Sequence, residues 1–303
     1  MKRTTRWLAR FLALGMAWVA ASLGAGGAGV EASREVGPAT IGLTQNYRLT
    51  SQHVDQVFSI DVYASPGAKG ALPVVYVLDG NGFFGLAAQT VGPMIYGGEL
   101  PPMIIVGVGY EVTSPFDVVT LRVRDLTPSH VAGVAERMAA SGMPLPAGVR
   151  PGGADAFLKF IETELKPFIA AHYEVNPEDE TLVGDSYGGL FALHVAFNAT
   201  RSFDRYVAGS PALGWDEDKL FRDEEAIASG VKDLPIKLFL SVGALEEEHA
   251  MRSNVERMNA ILRKRNYPGL ELTTHIFPDE THHSVIGATL SRGLRAVFGA
   301  LPK

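Results

Sequence analysis

Several stretches of the chain are apolar without interruption. Val74–Asp79 reads VVYVLD, Met103–Gly109 reads MIIVGVG and Ile236–Gly243 reads IKLFLSVG. Short unbroken runs of this kind are the pattern of strands covered on both faces. Together with weaker alternating segments they predict eight strands: Asn46–Thr50, Val57–Ala64, Pro73–Leu78, Met103–Tyr110, Thr181–Gly184, Arg205–Ala208, Ile236–Val242 and Glu271–Phe277. Between the later strands the apolar positions recur every three or four residues. Phe157, Phe160, Ile161, Leu165, Phe168 and Ile169 form one such stripe, with Pro167 near its end, and Met251, Val255, Met258 and Leu262 form another. Strands alternating with amphipathic helices predict an α/β domain, with a mostly parallel eight-stranded sheet and helices on both faces. No helical pattern separates the first two strands, which are expected to pair as a hairpin.

From residue 111 to 153 the periodicity fades, and Pro115, Pro128, Pro144, Pro146 and Pro151 punctuate the segment. A long irregular excursion above a parallel sheet is usually functional. It is read here as a cap or substrate-facing loop inserted in a single domain spanning 33–303.

Residues 1–32 have a different pattern. Lys2, Arg3, Arg6 and Arg10 precede the apolar stretch Phe11–Leu23, and small residues follow up to Val30-Glu31-Ala32. This order predicts a secretory signal and a periplasmic or extracellular destination. The apolar core is shorter than the ~20 residues a membrane span requires, and no later segment is long and apolar enough to span. Removing 1–32 leaves 23 basic against 32 acidic residues, a net charge of −9. Such a surface disfavours nucleic acid and anionic lipid as partners. The absence of cysteine excludes a thiol enzyme, a lipidated cysteine anchor and a Cys-ligated zinc site. Nothing in the sequence defines an oligomeric state.

The strongest local signal is Gly184-Asp185-Ser186-Tyr187-Gly188, a G-x-S-x-G between the strand ETLVGD and the helical run GGLFALHVAF. A sharp strand-to-helix turn exposes the serine oxygen at the positive end of a helix, and the glycines remove side chains that would collide there. Serine needs a base to become nucleophilic. In this motif's usual chain order the acid and then the histidine follow the serine. The loop after the last strand carries two candidates, His282 and His283. The loop after IKLFLSVG offers Glu246 as the first carboxylate able to orient the imidazole, with Asp216 and Asp218 after the previous strand as fallbacks. Oxyanion donors are assigned to the backbone N–H of Tyr187 and of Asn81, the latter in the loop after the third strand. Asp79 is read as a buried acid that ties that loop. The chemistry calls for no metal and no organic cofactor.

With these residues in place the chain resembles the putative esterase family of α/β-hydrolases, which includes the enterobactin, salmochelin and bacillibactin esterases and is related to the esterase D and mycolyltransferase groups. VVYVLDGNGFF is similar to the family's strand and oxyanion loop, and Arg122-Val-Arg-Asp-Leu-Thr-Pro128 to its R-x-R-D-x-T-P segment. GGADAFLKFIETELKPFI resembles the helix before the nucleophile strand, VGDSYGGLFALHVAF the elbow, SPALGW the S-P-S-x-W-W segment and SVGALEEE the acid loop. FPDETHHSV is similar to F-x-G-E-x-H-x-S-V, which places the family histidine on His282. Three positions depart from the pattern: Asp185 where His is more common, His283 where Gly or Asn is usual, and Gly214 in place of one tryptophan. The resemblance implies a serine hydrolase of carboxylic esters, acting on a small-molecule substrate such as a siderophore or another acylated compound. Arg122, Arg124 and Trp215 are its candidate substrate contacts, although either arginine has a structural alternative in an ion pair with Asp125 or another acid. An acyltransferase on the same scaffold and a non-catalytic secreted binding protein are the alternatives.

Overall fold

The computed structural model describes residues 40–230, 233–247 and 250–299, and the chain from Ile41 onward forms one compact unit. The predicted signal segment lies outside the described residues. Eight strands form one sheet: β1 (Thr44–Thr50), β2 (Val57–Ala64), β3 (Leu72–Leu78), β4 (Ile104–Tyr110), β5 (Val175–Asp185), β6 (Arg205–Gly209), β7 (Lys237–Gly243) and β8 (Glu271–Phe277). Their order is β1-β2-β4-β3-β5-β6-β7-β8. β1 and β2 form the expected antiparallel hairpin, β2 joins β4 antiparallel, and every pairing from β4 to β8 is parallel.

Side-chain alternation divides the strands between two cores, as the pleat requires. Val74, Tyr76 and Leu78 of β3 face one core, and Val75 and Val77 face the other. The helices α1 (Gly80–Tyr96) and α9 (Ile286–Phe298) cover the second face. The first is covered by α4 (Ala154–Phe160), α5 (Lys166–His172), α6 (Tyr187–Asn198), α7 (Lys219–Ala228) and α8 (Met251–Arg265). Between α4 and α5 the helix widens to a π turn at Ile161–Leu165. Pro167 has no N–H to give and its ring crowds the carbonyl four residues back, so a widened turn just before it accommodates both defects.

The excursion is more ordered than its prolines suggest. It contains α2 (Pro115–Asp125) and α3 (Val134–Ala140). Pro115 occupies the start of α2, where a missing N–H costs nothing, and Ser114 caps that helix by accepting from Phe116 N at 3.2 Å. Among the described residues no helix is long and apolar enough to cross a membrane.

The topology fixes where chemistry is possible. From β3 the chain leaves through α1 to β4 on one side. From β4 it returns through α2–α5 to β5, on the other side of β3. The carboxyl ends of β3 and β5 therefore flank a switch point, the usual ligand position in an open α/β sheet.

Candidate active site

Ser186 sits between β5 and α6 with φ 59° and ψ −116°, a conformation that an L-residue rarely adopts. Two glycines make it possible. A Cβ on Gly184 would lie 2.3 Å from the backbone of Gly188, and one on Gly189 would lie 2.5 Å from Gly209 O. The turn is held from both ends: Ser186 N donates to Gly209 O at 3.0 Å, and Ala212 N donates to Ser186 O at 3.1 Å. Strand, elbow and the end of β6 are thus a single braced unit.

The acid and the base come from the next two loops. Ala244 N donates to Phe277 O at 2.8 Å and Leu245 N to Glu280 O at 3.0 Å, which ties the loop after β7 to the loop after β8. Across this tie His282 Nδ1 meets Glu246 Oε2 at 2.7 Å. The other carboxylate oxygen, Oε1, accepts from Ser210 Oγ at 2.6 Å and from Gly243 N at 2.7 Å. Burial by itself would push the Glu246 carboxyl up, but the bonds from His282, Ser210 and Gly243 outweigh it and hold the group below its ordinary range. The Glu246 hydrogen bond raises the His282 imidazole above its usual value, against the opposing effect of burial. With Nδ1 held by the carboxylate, Nε2 is the ring nitrogen left to act as base.

The geometry separates the two histidines. His283 is exposed and stacks edge-on against His282 with ring centroids 5.5 Å apart, whereas only His282 reaches Glu246. It also separates the acids. Asp216 accepts from Ser129 Oγ at 2.6 Å and Asp218 pairs with Arg257, and neither is bonded to His282.

Ser186, Tyr187, Trp215, Glu246, His282 and His283 all line one cleft of about 1030 Å³. Tyr187 opens α6, so its backbone N–H belongs to the first turn, where helical amides have no intrahelical acceptor. Its ring meets Trp215 edge-to-face at 5.5 Å, and the Trp215 indole N–H donates to Ser129 Oγ at 3.2 Å.

Three expected contacts are not on the cleft wall. Asn81 is exposed, and its side chain is clamped to Tyr110, donating to its O at 2.9 Å and accepting from its N at 2.7 Å. α1 begins directly after β3 and brings Asn81 against the end of β4, where a Cβ on Gly109 would lie 3.0 Å from Asn81 N. Arg122 forms a bidentate pair with Asp79, at 2.7 and 2.8 Å, and lies over the Tyr187 ring at 5.2 Å. Arg124 does the same with the buried Asp125, at 2.7 and 2.9 Å. Both guanidinium groups are paired with neighbouring carboxylates, the structural alternative expected for them. Asp79 ties its loop as expected, with Arg122 as the partner.

Two features were missed from the sequence. Ser210, the first residue of SPALGW, orients Glu246; its position one strand before the acid was the available signal. The opposite wall comes from the excursion: Val134, Arg137 and Met138 of α3, then Ser141 and Met143, with Leu245 and Met251 completing an apolar rim. The excursion was expected to face the substrate, but no motif marks which of its residues do.

Residues 51–285 match the family described as "Putative esterase". The chain belongs to that family, and it is an esterase of the α/β-hydrolase fold. It is 31% identical to the ferri-bacillibactin esterase BesA of Bacillus subtilis over 269 residues, covering 84% of this chain and 90% of the relative. It is 30% identical to the siderophore triacetylfusarinine C esterase of Aspergillus fumigatus over 264 residues, 77% of this chain and 84% of the relative. Among solved structures, the BES protein from Bacillus cereus superposes with a TM-score of 0.76 at 30% identity, covering 89% of this chain and 100% of that one.

Proposed function

We propose that this esterase works through an acyl-enzyme on Ser186, with His282 as general base, Glu246 as its orienting acid and the Tyr187 N–H as an oxyanion donor. The observation that carries this reading is the 2.7 Å Glu246–His282 bond, made beside a strained serine on the same cleft wall. Ser186 Oγ attacks the ester carbonyl while its proton passes to His282 Nε2. The carbonyl oxygen becomes anionic at the amino end of α6, where backbone N–H groups and the helix dipole favour negative charge. Collapse of the tetrahedral adduct expels the alkoxide, which takes the proton from His282. Water then attacks the acyl-serine by the same route, and the acid product leaves.

The cleft supports a siderophore or a similarly large ester as substrate. Its volume is at the upper end for small-molecule sites. Its walls combine methionines, which repack around irregular groups, with Trp215 and the exposed Arg137. The relatives named above are themselves siderophore esterases. The basic, apolar and small-residue order of residues 1–32 supports export, and N-terminal sequencing of the secreted protein should begin at Ser33.

The test uses residues 33–303 with short- and medium-chain p-nitrophenyl esters and with a trilactone siderophore. Turnover should fall by about 10⁴-fold or more in Ser186→Ala and in His282→Ala, and a fluorophosphonate should label Ser186 alone. Labelling elsewhere, or undiminished turnover in Ser186→Ala, contradicts the reading. Added alcohols measure how the acyl-enzyme divides between water and another acceptor; predominant transfer would make the protein an acyltransferase.

A further inference from the structure

Beside the nucleophile lies a carboxyl group that the mechanism above does not use. Asp185 is the last residue of β5 and only 4% exposed, and its Oδ1 is buried without a hydrogen-bond partner. A Cβ on Gly209 would lie 2.7 Å from that oxygen and 2.8 Å from Thr289 Cγ2, so the carboxyl is pressed against β6 and α9. Thr289 Oγ1 pairs with Ser241 Oγ at 3.0 Å and makes no hydrogen bond to Asp185 Oδ1. Arg122 bonds the Asp185 main-chain O at 3.3 Å and gives its strong bonds to Asp79. Buried polar groups are nearly always partnered, and an orphan beside reacting atoms marks a functional role.

We propose that Asp185 is a positioning residue acting through His282: its carboxylate stabilises the imidazolium that forms as Ser186 attacks. The proposal rests on the assignment of Ser186 and His282 above. Four charged groups act on Asp185 through their fields: His282 from the loop after β8, Arg122 from α2, Glu246 from the loop after β7 and Asp79 from the end of β3. Burial, the dominant influence, raises the Asp185 carboxyl to about 8; among the charges His282 pulls hardest in the opposite direction. The influence is reciprocal, since Asp185 also favours the charged imidazole. An ionised Asp185 therefore adds a second negative charge to that of Glu246 when the proton moves from Ser186 Oγ to His282 Nε2. The same charge opposes the oxyanion, so the proposal commits to the imidazolium as the nearer partner. Because the two groups interact, the observed ionisations belong to the pair.

The experiment is the pH dependence of kcat/KM on a p-nitrophenyl ester, from pH 5 to 10, for the wild type and for the near-isosteric Asp185→Asn. The wild type should rise in two steps, the second near pH 8 and about tenfold. Asp185→Asn should keep the first step and lose the second. A single step in the wild type, a fall through the second ionisation, or an unchanged second step in Asp185→Asn overturns the proposal. Should Asp185→Asn not fold, the NMR titration of the His282 imidazole in the wild type decides. Two inflections support Asp185, and one overturns it. Ser186→Ala, run alongside, separates the failures: if it retains activity, the nucleophile assignment falls, and the role of Asp185 falls with it.

Discussion

The two walls of the cleft are built by different means. One is the sheet edge: Ser186 braced to Gly209 and Ala212, Glu246 held by Ser210 and Gly243, and two loops tied together so that His282 meets its acid. The other is α3 and the segment after it, where Arg137 is exposed and its guanidinium makes one hydrogen bond among the described residues, a 3.5 Å contact to Ala132 O. Chemistry tolerates little displacement, and its groups sit on strands and their immediate ends. Recognition of a substrate tolerates more, and the residues available for it hang on a short helix between prolines. If this division holds, changes on the sheet wall should act on kcat and changes on the α3 wall on KM.

The largest expected effect on the sheet wall, short of removing the nucleophile or base, is Glu246→Gln. It should lower kcat about a thousandfold or more, because the imidazole loses both its tautomer preference and its counter-charge. The same variant sharpens the pH dependence. Activity needs neutral His282, so kcat/KM should fall as pH drops through an imidazole pKa raised above the ordinary ~6.5. The Glu246 bond is the leading cause of that elevation, so in Glu246→Gln the acid limb should move to lower pH while the plateau falls. An acid limb that does not move would detach Glu246 from His282.

A second prediction concerns stability. Asp185 keeps its proton in the folded chain up to about pH 8 but loses it near pH 4 when unfolded. Its folded pKa is raised, so its contribution is fully present below pH 4 and is lost as pH rises toward 8. The loss approaches about 1.4 kcal/mol for each pH unit between the two values. Asp185→Asn has no proton to lose. Its Tm should therefore exceed that of the wild type at pH 7.5, and the gap should narrow toward pH 5. An equal Tm difference at both pH values would mean that Asp185 is not held protonated by the fold.

The same two walls explain what the sequence disclosed. The strands and the elbow were legible because they depend on patterns local to the chain: unbroken apolar runs, and glycines at 184 and 189 where a Cβ would collide with backbone. Glu246 was legible from chain order. The clamp of the Asn81 side chain on Tyr110 was not legible, because it depends on where α1 begins, and α1 starts with no intervening loop. Arg122 and Arg124 were ambiguous because an arginine shows its partner only in three dimensions; Asp79 is far from Arg122 in the chain and adjacent in space. The excursion was read as a cap or substrate-facing loop, and α3 does line the cleft, but the residues that do so were not legible. Its prolines suggested irregularity, though Pro115 opens a helix, and nothing in Val134, Met138 or Met143 says which surface they cover.

The smallest effect tests that wall. Arg137 is the only guanidinium among the described residues lining the cleft, and it faces a rim of Met138, Met143, Leu245 and Met251. It is solvent-exposed, and exposed ion pairs contribute about 0.2–1 kcal/mol. Arg137→Ala should accordingly raise KM for an anionic ester by about fivefold at most, leaving kcat and the turnover of a neutral p-nitrophenyl ester unchanged. High salt should erase the difference, since an exposed pair is screened at close range. A fall in kcat with the neutral ester would place Arg137 on the reacting atoms. The division between a wall that reacts and a wall that recognises would then have to be redrawn with α3 on the reacting side.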